Sequence, residues 1–232
     1  MRTIPGGLFI VFSGPEGGGK TTQATNLAHA FEEEGYEVLL TKEPGGDEGI
    51  CRDLRKMLVN QDGQYAVPIA DGMTEFLLFC GERRQHIQTI LLPALTEGKI
   101  VICDRYIPDT YAYQCAGRKS VAEQEFRFVM SLATREMGIP DLTFWFDVSP
   151  SVGLSRKAKQ QELNRFELEG IPFHQRVADG FGYFFTRFAP EYYSVRVDCT
   201  QKKSEVLEIV KEHSFSILRQ RESRQSSNQS PE

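Results

Sequence analysis

The stretch GPEGGGKTTQ, Gly14 to Gln23, limits what this chain can fold into more than any other. It follows a short apolar run, Leu8 to Phe12, and leads into a segment of helical character from about Lys20 to Glu34. The stretch matches G-x-x-x-x-G-K-[ST] in the strand–loop–helix setting that the pattern requires. Glycines let successive backbone N–H groups turn inward around a phosphate at the positive end of a helix. Lys20 then reaches the outer phosphates of a nucleotide, and the Thr21 hydroxyl is a ligand for Mg²⁺. The cradle comprises Gly14, Pro15, Glu16, Gly17, Gly18, Gly19, Lys20, Thr21 and Thr22. It names a donor nucleotide and leaves the acceptor open.

Short apolar runs alternate with helical patterns along the rest of the chain. Glu37 to Thr41, Ile100 to Cys103, Leu142 to Phe146 and Ser194 to Asp198 read as four further strands. A helix is expected from about Asp47 to Leu58, and a long helical pattern from Ala70 to Glu97 is open to a break at Pro93. Continuous apolar strands separated by helices imply an α/β fold with a five-stranded parallel sheet covered on both faces. Ligands on such sheets bind beyond the carboxyl ends of the strands. At 232 residues the chain is expected to form one domain, residues 1–219. The tail QRESRQSSNQSPE, residues 220–232, holds no aliphatic or aromatic residue and is expected to be disordered.

Composition narrows the class. A net charge of −5 argues against bulk nucleic-acid binding. The five cysteines are widely spaced with no C-x-x-C pair, which fits buried free thiols in a reducing compartment. No window approaches the roughly 20 apolar residues that span a bilayer, so the expectation is a cytoplasmic protein without a membrane partner. No Asn is followed by Lys, so the Asn-Lys-x-Asp reader of guanine is missing, and the size disfavours a large ATPase motor. A small-molecule kinase remains.

Such a kinase needs an acceptor site. Asp104 and Arg105 stand at the carboxyl end of a buried strand; Asp104 is suited to binding Mg²⁺ or orienting a phosphate, and Arg105 to a bidentate phosphate clamp. A structural ion pair would leave the same residues there. Phe79 and Arg83 are four residues apart on one helix face, a spacing that frames a flat ring, although a core phenylalanine beside a surface arginine has the same signature.

Taken together, these motifs resemble the thymidylate kinase family. The resemblance rests on GPEGGGKTTQ, TKEPGG (Thr41 to Gly46), LLFCGERRQH (Leu77 to His86) and VICDRYIPDTYAYQ (Val101 to Gln114), with weaker matches in PDLTFWFDV and NRFELEGIPFHQRV. It implies a P-loop fold, transfer of the ATP γ-phosphoryl to dTMP with Mg²⁺, and a homodimer. It further implies that Phe79 stacks on thymine, Arg83 bonds the base edge and Arg105 grips the dTMP phosphate, with Asp104 near the metal. Thr110, Tyr113 and Gln114 would line the nucleoside pocket, Tyr113 excluding a 2′-hydroxyl. Glu16 would approach the acceptor or metal, and Glu43 would belong to the acceptor loop.

A lid, about residues 155–172, would supply the cation that meets the transferring group, with Arg156 and Arg165 as its candidates and Arg176 as support. The chain departs from the family pattern at Lys42, Asp47, Cys115 and Asn164. These departures bear on rate, on the lid residue and on strict dTMP preference. Kinases of other pyrimidine nucleotides, and a nucleotide-binding protein with impaired transfer, are the competing readings.

Overall fold

The computed structural model describes residues 1–45, 49–60, 69–159 and 164–228; for Asn60 and residues 224–228 only the backbone is described. Asp47 and the end of the EPGG motif therefore lie outside the described residues.

Five strands form one parallel sheet: β1 (Leu8–Ser13), β2 (Val38–Lys42), β3 (Ile100–Asp104), β4 (Leu142–Asp147) and β5 (Ser194–Asp198). Their order across the sheet is β2-β3-β1-β4-β5. β1 and β3 are buried at every position, as expected of strands covered on both faces. Pairing of Phe12 with Asp104 brings the ends of β1 and β3 side by side, although 91 residues separate Asp104 from Ser13 in sequence.

The helices divide between the two faces. α1 (Lys20–Glu33) and α9 (Lys203–Asn228) pack together over one core that includes Phe12, Phe31, Phe144 and Phe146. A second core, built on α3 (Gly72–His86), α6 (Glu123–Ala133) and α8 (Ile171–Tyr183), gathers Phe76, Tyr111, Phe126, Phe181 and Phe184. The intervening helices are α2 (Gly49–Arg55), α4 (Leu92–Thr96), α5 (Ile107–Thr110) and α7 (Pro150–Lys157). The long pattern after Ala70 is interrupted where Pro93 threatens it: a π-turn over Ile87–Leu91 joins α3 to α4, and Pro93 sits in the first turn of α4. The five cysteines are all buried and free. Among the described residues no helix is long and apolar enough to cross a membrane.

α9 continues to Asn228, past Gln220 where the sequence reading places the start of the tail; the last four residues lie outside the described set. The extension has polar anchors in place of apolar ones. Glu222 accepts from Arg2 (2.9 Å) and from the Tyr36 hydroxyl (2.7 Å), and Arg221 donates to Asp141 Oδ1 at 2.5 Å. Asp141 Oδ2 in turn accepts from the Phe9 amide at 2.8 Å. Composition counts apolar residues and misses such ties.

Partly exposed ion pairs contribute modestly. Ending the chain at Arg219 should therefore cost about 1–2 kcal/mol in urea unfolding. An unchanged midpoint would show that these ties contribute nothing.

Candidate active site

The Gly14–Gly19 loop follows β1 and closes onto α1. Gly14 (φ 146°), Gly17 (φ 73°) and Gly19 (φ 89°) adopt backbone that side-chain-bearing residues avoid. A Cβ on Gly14 would lie 2.4 Å from the Phe146 carbonyl, and one on Gly17 would lie 2.2 Å from that of Gly153. Gly17 is therefore a packing requirement as well as a turn: the loop lies directly against α7.

Lys20 is buried, and its ammonium donates to the carbonyls of Gly14 (2.7 Å) and Pro15 (2.8 Å). Burial and the nearby Arg105 charge hold its pKa below the ordinary lysine value. The Thr21 hydroxyl donates to Asp104 Oδ2 at 2.5 Å, while Asp104 Oδ1 is buried without a hydrogen-bond partner. Two hard oxygen donors thus meet between the start of α1 and the end of β3.

Arg105 has φ 80°, in the left-handed region, with its amide held by the Phe12 carbonyl at 2.8 Å. Such backbone costs about 1–3 kcal/mol and persists where the surroundings dictate it. Its guanidinium spans two carboxylates, donating to Asp109 Oδ1 (2.8 Å) and to Glu16 Oε1 (2.5 Å), and lies 5.4 Å from the Tyr113 ring centroid. The Tyr113 hydroxyl donates to the same Glu16 oxygen at 3.3 Å. Burial would raise the Glu16 pKa, but Arg105, Lys20 and Lys157 outweigh it and hold the carboxyl at about 2.

On the other wall, Arg83 is the largest fully buried side chain. It donates through Nε to Glu43 Oε2 (2.6 Å) and through Nη2 to Thr110 (2.8 Å). Glu43 Oε1 lies 3.2 Å from His86 Nδ1, and His86 Nε2 is hydrogen-bonded to Thr41 at 2.8 Å. Beneath them Glu82 accepts from the Gly45 amide at 2.7 Å. Burial, with the Glu43 charge beside it, pushes the Glu82 carboxyl upward. Phe79 and Tyr113 stand 6.1 and 5.5 Å from the Phe166 ring. Gln114 donates to Glu75 at 2.9 Å.

One cleft of about 630 Å³ unites these groups. Of the residues singled out in the sequence, Glu16 to Thr22, Glu43, Phe79, Arg83, Asp104, Arg105, Thr110, Tyr113, Gln114 and Arg156 line it. Gly14 and Pro15 stand behind Lys20 through their carbonyls.

Of the two arginines expected in the lid, Arg156 lines the cleft with its guanidinium bonded to backbone, and Arg165 does not line it. Arg156 donates to the backbone carbonyls of Gly17 (3.1 Å) and Cys199 (2.9 Å). Arg165 donates to the Leu58 carbonyl (2.5 Å) and to Glu75 (2.6 Å), and does not line the cleft. Arg176 bonds the carbonyls of Gly117 and Pro172, a brace between α8 and its neighbour. Sequence reading missed Lys157, Phe166, Glu167 and Asp109, which do line the cleft. The acidic residue two places after Arg165 was a visible signal for Glu167; nothing in the local pattern marked Lys157.

Because the Glu16 carboxyl is held low in the fold, its stabilisation is fully present above pH 4.5 and is lost as pH falls toward 2. That difference corresponds to roughly 3 kcal/mol. Glu16→Gln should therefore be destabilised relative to the unsubstituted chain at pH 7, with the gap narrowing below pH 4.5. A gap independent of pH, measured by denaturant titration, would contradict the charge cluster.

The thymidylate kinase family model matches residues 12–212. A thymidylate kinase of Geobacillus sp. (strain WCH70) is 37% identical over 202 residues, 86% of this chain and 92% of that protein. The thymidylate kinases of Bacillus anthracis and Bacillus mycoides (strain KBAB4) are each 37% identical over 210 residues, 89% of this chain and 98% of theirs. The P-loop sheet, the cleft and these matches agree: the chain belongs to the thymidylate kinase family.

Proposed function

We propose that this chain moves the γ-phosphoryl group of ATP to dTMP, giving dTDP and ADP, within one domain. The observation that carries the reading is the pairing of β1 with β3, which sets the phosphate loop beside Asp104 and Arg105. A donor cradle and a bidentate phosphate clamp thereby open into one cleft that also holds Phe79 and Arg83.

Transfer between phosphates needs alignment and charge neutralisation more than a strong base. The loop amides and Lys20 hold the donor phosphates. Arg105 holds the acceptor phosphate, and Asp109 and Glu16 keep its fork extended meanwhile. Phe79 and Arg83 frame the base, while Thr110, Tyr113 and Gln114 line the nucleoside side. The bulk of Tyr113 favours deoxyribose.

Thr21 and Asp104 fit Mg²⁺: both offer hard oxygens, and Asp104 Oδ1 is buried without a hydrogen-bond partner. When bound, the ion neutralises charge on the donor phosphates. Glu16 is committed to cations of the acceptor side, so the ion is assigned to Thr21 and Asp104.

A homodimer with a cytoplasmic location completes the reading. Leu77 on α3 and Phe128 and Leu132 on α6 are 49%, 65% and 47% exposed on neighbouring helices, an apolar face suited to a second copy. Phe128→Glu should shift the sedimentation coefficient to that of a monomer; an unchanged dimer would remove this face from the interface.

The reaction is tested by coupled ADP release with ATP, Mg²⁺ and dTMP, dUMP, UMP, CMP or dGMP. Rapid release with dTMP, reduced at least about 100-fold by Arg105→Ala, is expected. Equal rates with every base would remove the thymine role of Phe79 and Arg83. ATP binding without turnover would favour a nucleotide-binding protein.

A further inference from the structure

Lys157 ends α7, between the two arginines that the sequence offers for the lid. Like Arg156 it lines the cleft, but its ammonium is paired with carboxylates there, whereas the Arg156 guanidinium is bonded to two backbone carbonyls. Its ammonium lies 2.9 Å from Glu167 Oε1 and 4.0 Å from Glu16 Oε2. The other Glu16 oxygen receives Arg105, so one carboxylate joins the acceptor clamp to the lid. The Lys157 side chain is 26% exposed, against 9% for Glu16 and 3% for Glu167. A cation on a flexible stem is thus tethered by two buried acids.

The base of that stem is fixed to the phosphate loop. A Cβ on Gly153 would lie 2.2 Å from the Glu16 carbonyl, and Arg156 ties the next turn of α7 to the Gly17 carbonyl. α7 and the loop therefore hold a constant separation, and only the lysine side chain must move to meet a phosphate. Glu167 is itself set in place, accepting from the Asn164 amide at 2.8 Å while Asn164 Oδ1 accepts from the amides of Phe166 and Glu167.

We propose that Lys157 is the catalytic cation of the lid, donating to the equatorial oxygens of the phosphoryl group in transit. This rests on the reading of the chain as a dTMP kinase. In that step a dTMP phosphate oxygen bonds to Pγ as the bond from Pγ to the β,γ-bridging oxygen breaks, its electron pair leaving with ADP. Lys157 keeps its proton throughout and supplies charge and N–H donors where negative charge accumulates. A cation in that position is worth about 10²- to 10³-fold in rate. Arg156 and Arg165, bonded to backbone and to Glu75, act as positioning residues.

The test compares the full chain with Lys157→Ala, Lys157→Arg, Arg156→Ala and Arg165→Ala. Lys157→Ala should lower kcat by about 10²- to 10³-fold while KM for ATP and dTMP changes less than about threefold. Lys157→Arg should recover most of the loss. A second readout is binding of ADP with aluminium fluoride and dTMP, which mimics the group in transit. Lys157→Ala should weaken that complex by a similar factor and leave ADP binding unchanged. A normal kcat in Lys157→Ala, or equal weakening of ADP and of the mimic, would overturn the proposal. No dTDP from the unsubstituted chain would instead overturn the kinase reading itself.

Discussion

The pairing of Phe12 with Asp104 is the constraint on which the site depends. It places the end of β1, from which the glycine loop departs, against the end of β3, from which Asp104 and Arg105 project. Every charged group in the cleft then has to be buried near every other. Lys20 and Arg105 would repel in a low-dielectric setting, and Glu16, Asp104 and Asp109 answer that repulsion. Glu16 and Asp109 pair with Arg105 while Asp104 Oδ1 stays without a hydrogen-bond partner, so the fold holds a concentration of cations suited to phosphate. An incoming phosphate exchanges one set of anions for another without exposing an unpaired buried charge.

A second constraint is steric. Gly17 and Gly153 approach so closely that neither accepts a Cβ without displacing the other's backbone or its neighbour's. α7 is thereby seated on the phosphate loop through backbone contact, with Arg156 bridging from α7 to Gly17 and to Cys199 beyond β5. Arg156 thus supplies a donor to the Gly17 carbonyl of the tight loop and a second to the Cys199 carbonyl after β5.

Much of this was legible in the chain. All five strands and the parallel sheet follow from apolar runs, and the phosphate loop from its motif, whereas Glu43, Thr110, Tyr113, Gln114 and Arg156 are implied by the resemblance to the thymidylate kinase family. The ties of Arg221 and Glu222 to Asp141, Arg2 and Tyr36 join residues far apart in sequence, so no local pattern records them. That Arg156 lines the cleft and Arg165 does not is equally invisible to local pattern. Charge identifies a basic segment, but which of its side chains enters the cleft depends on where α7 meets the loop. That meeting is set by two glycines 136 positions apart, which no local period records.

The partners of each cation separate rigid recognition from exchange. Arg83 is held by Glu43 and Thr110, and Glu43 by His86, which Thr41 holds in turn. Its side-chain entropy is lost on folding, so a base meeting it finds a preorganised donor. A mispositioned or shorter cation there would leave Glu43 buried and unpaired, which makes the wall intolerant of change. Arg105 and Lys157 share Glu16 instead, a carboxylate that lines the open cleft. A phosphate can take over either cation there because Glu16 keeps the other. In the proposed reaction, rigid pairing therefore lies on the base side of the cleft and shared pairing on the phosphate side.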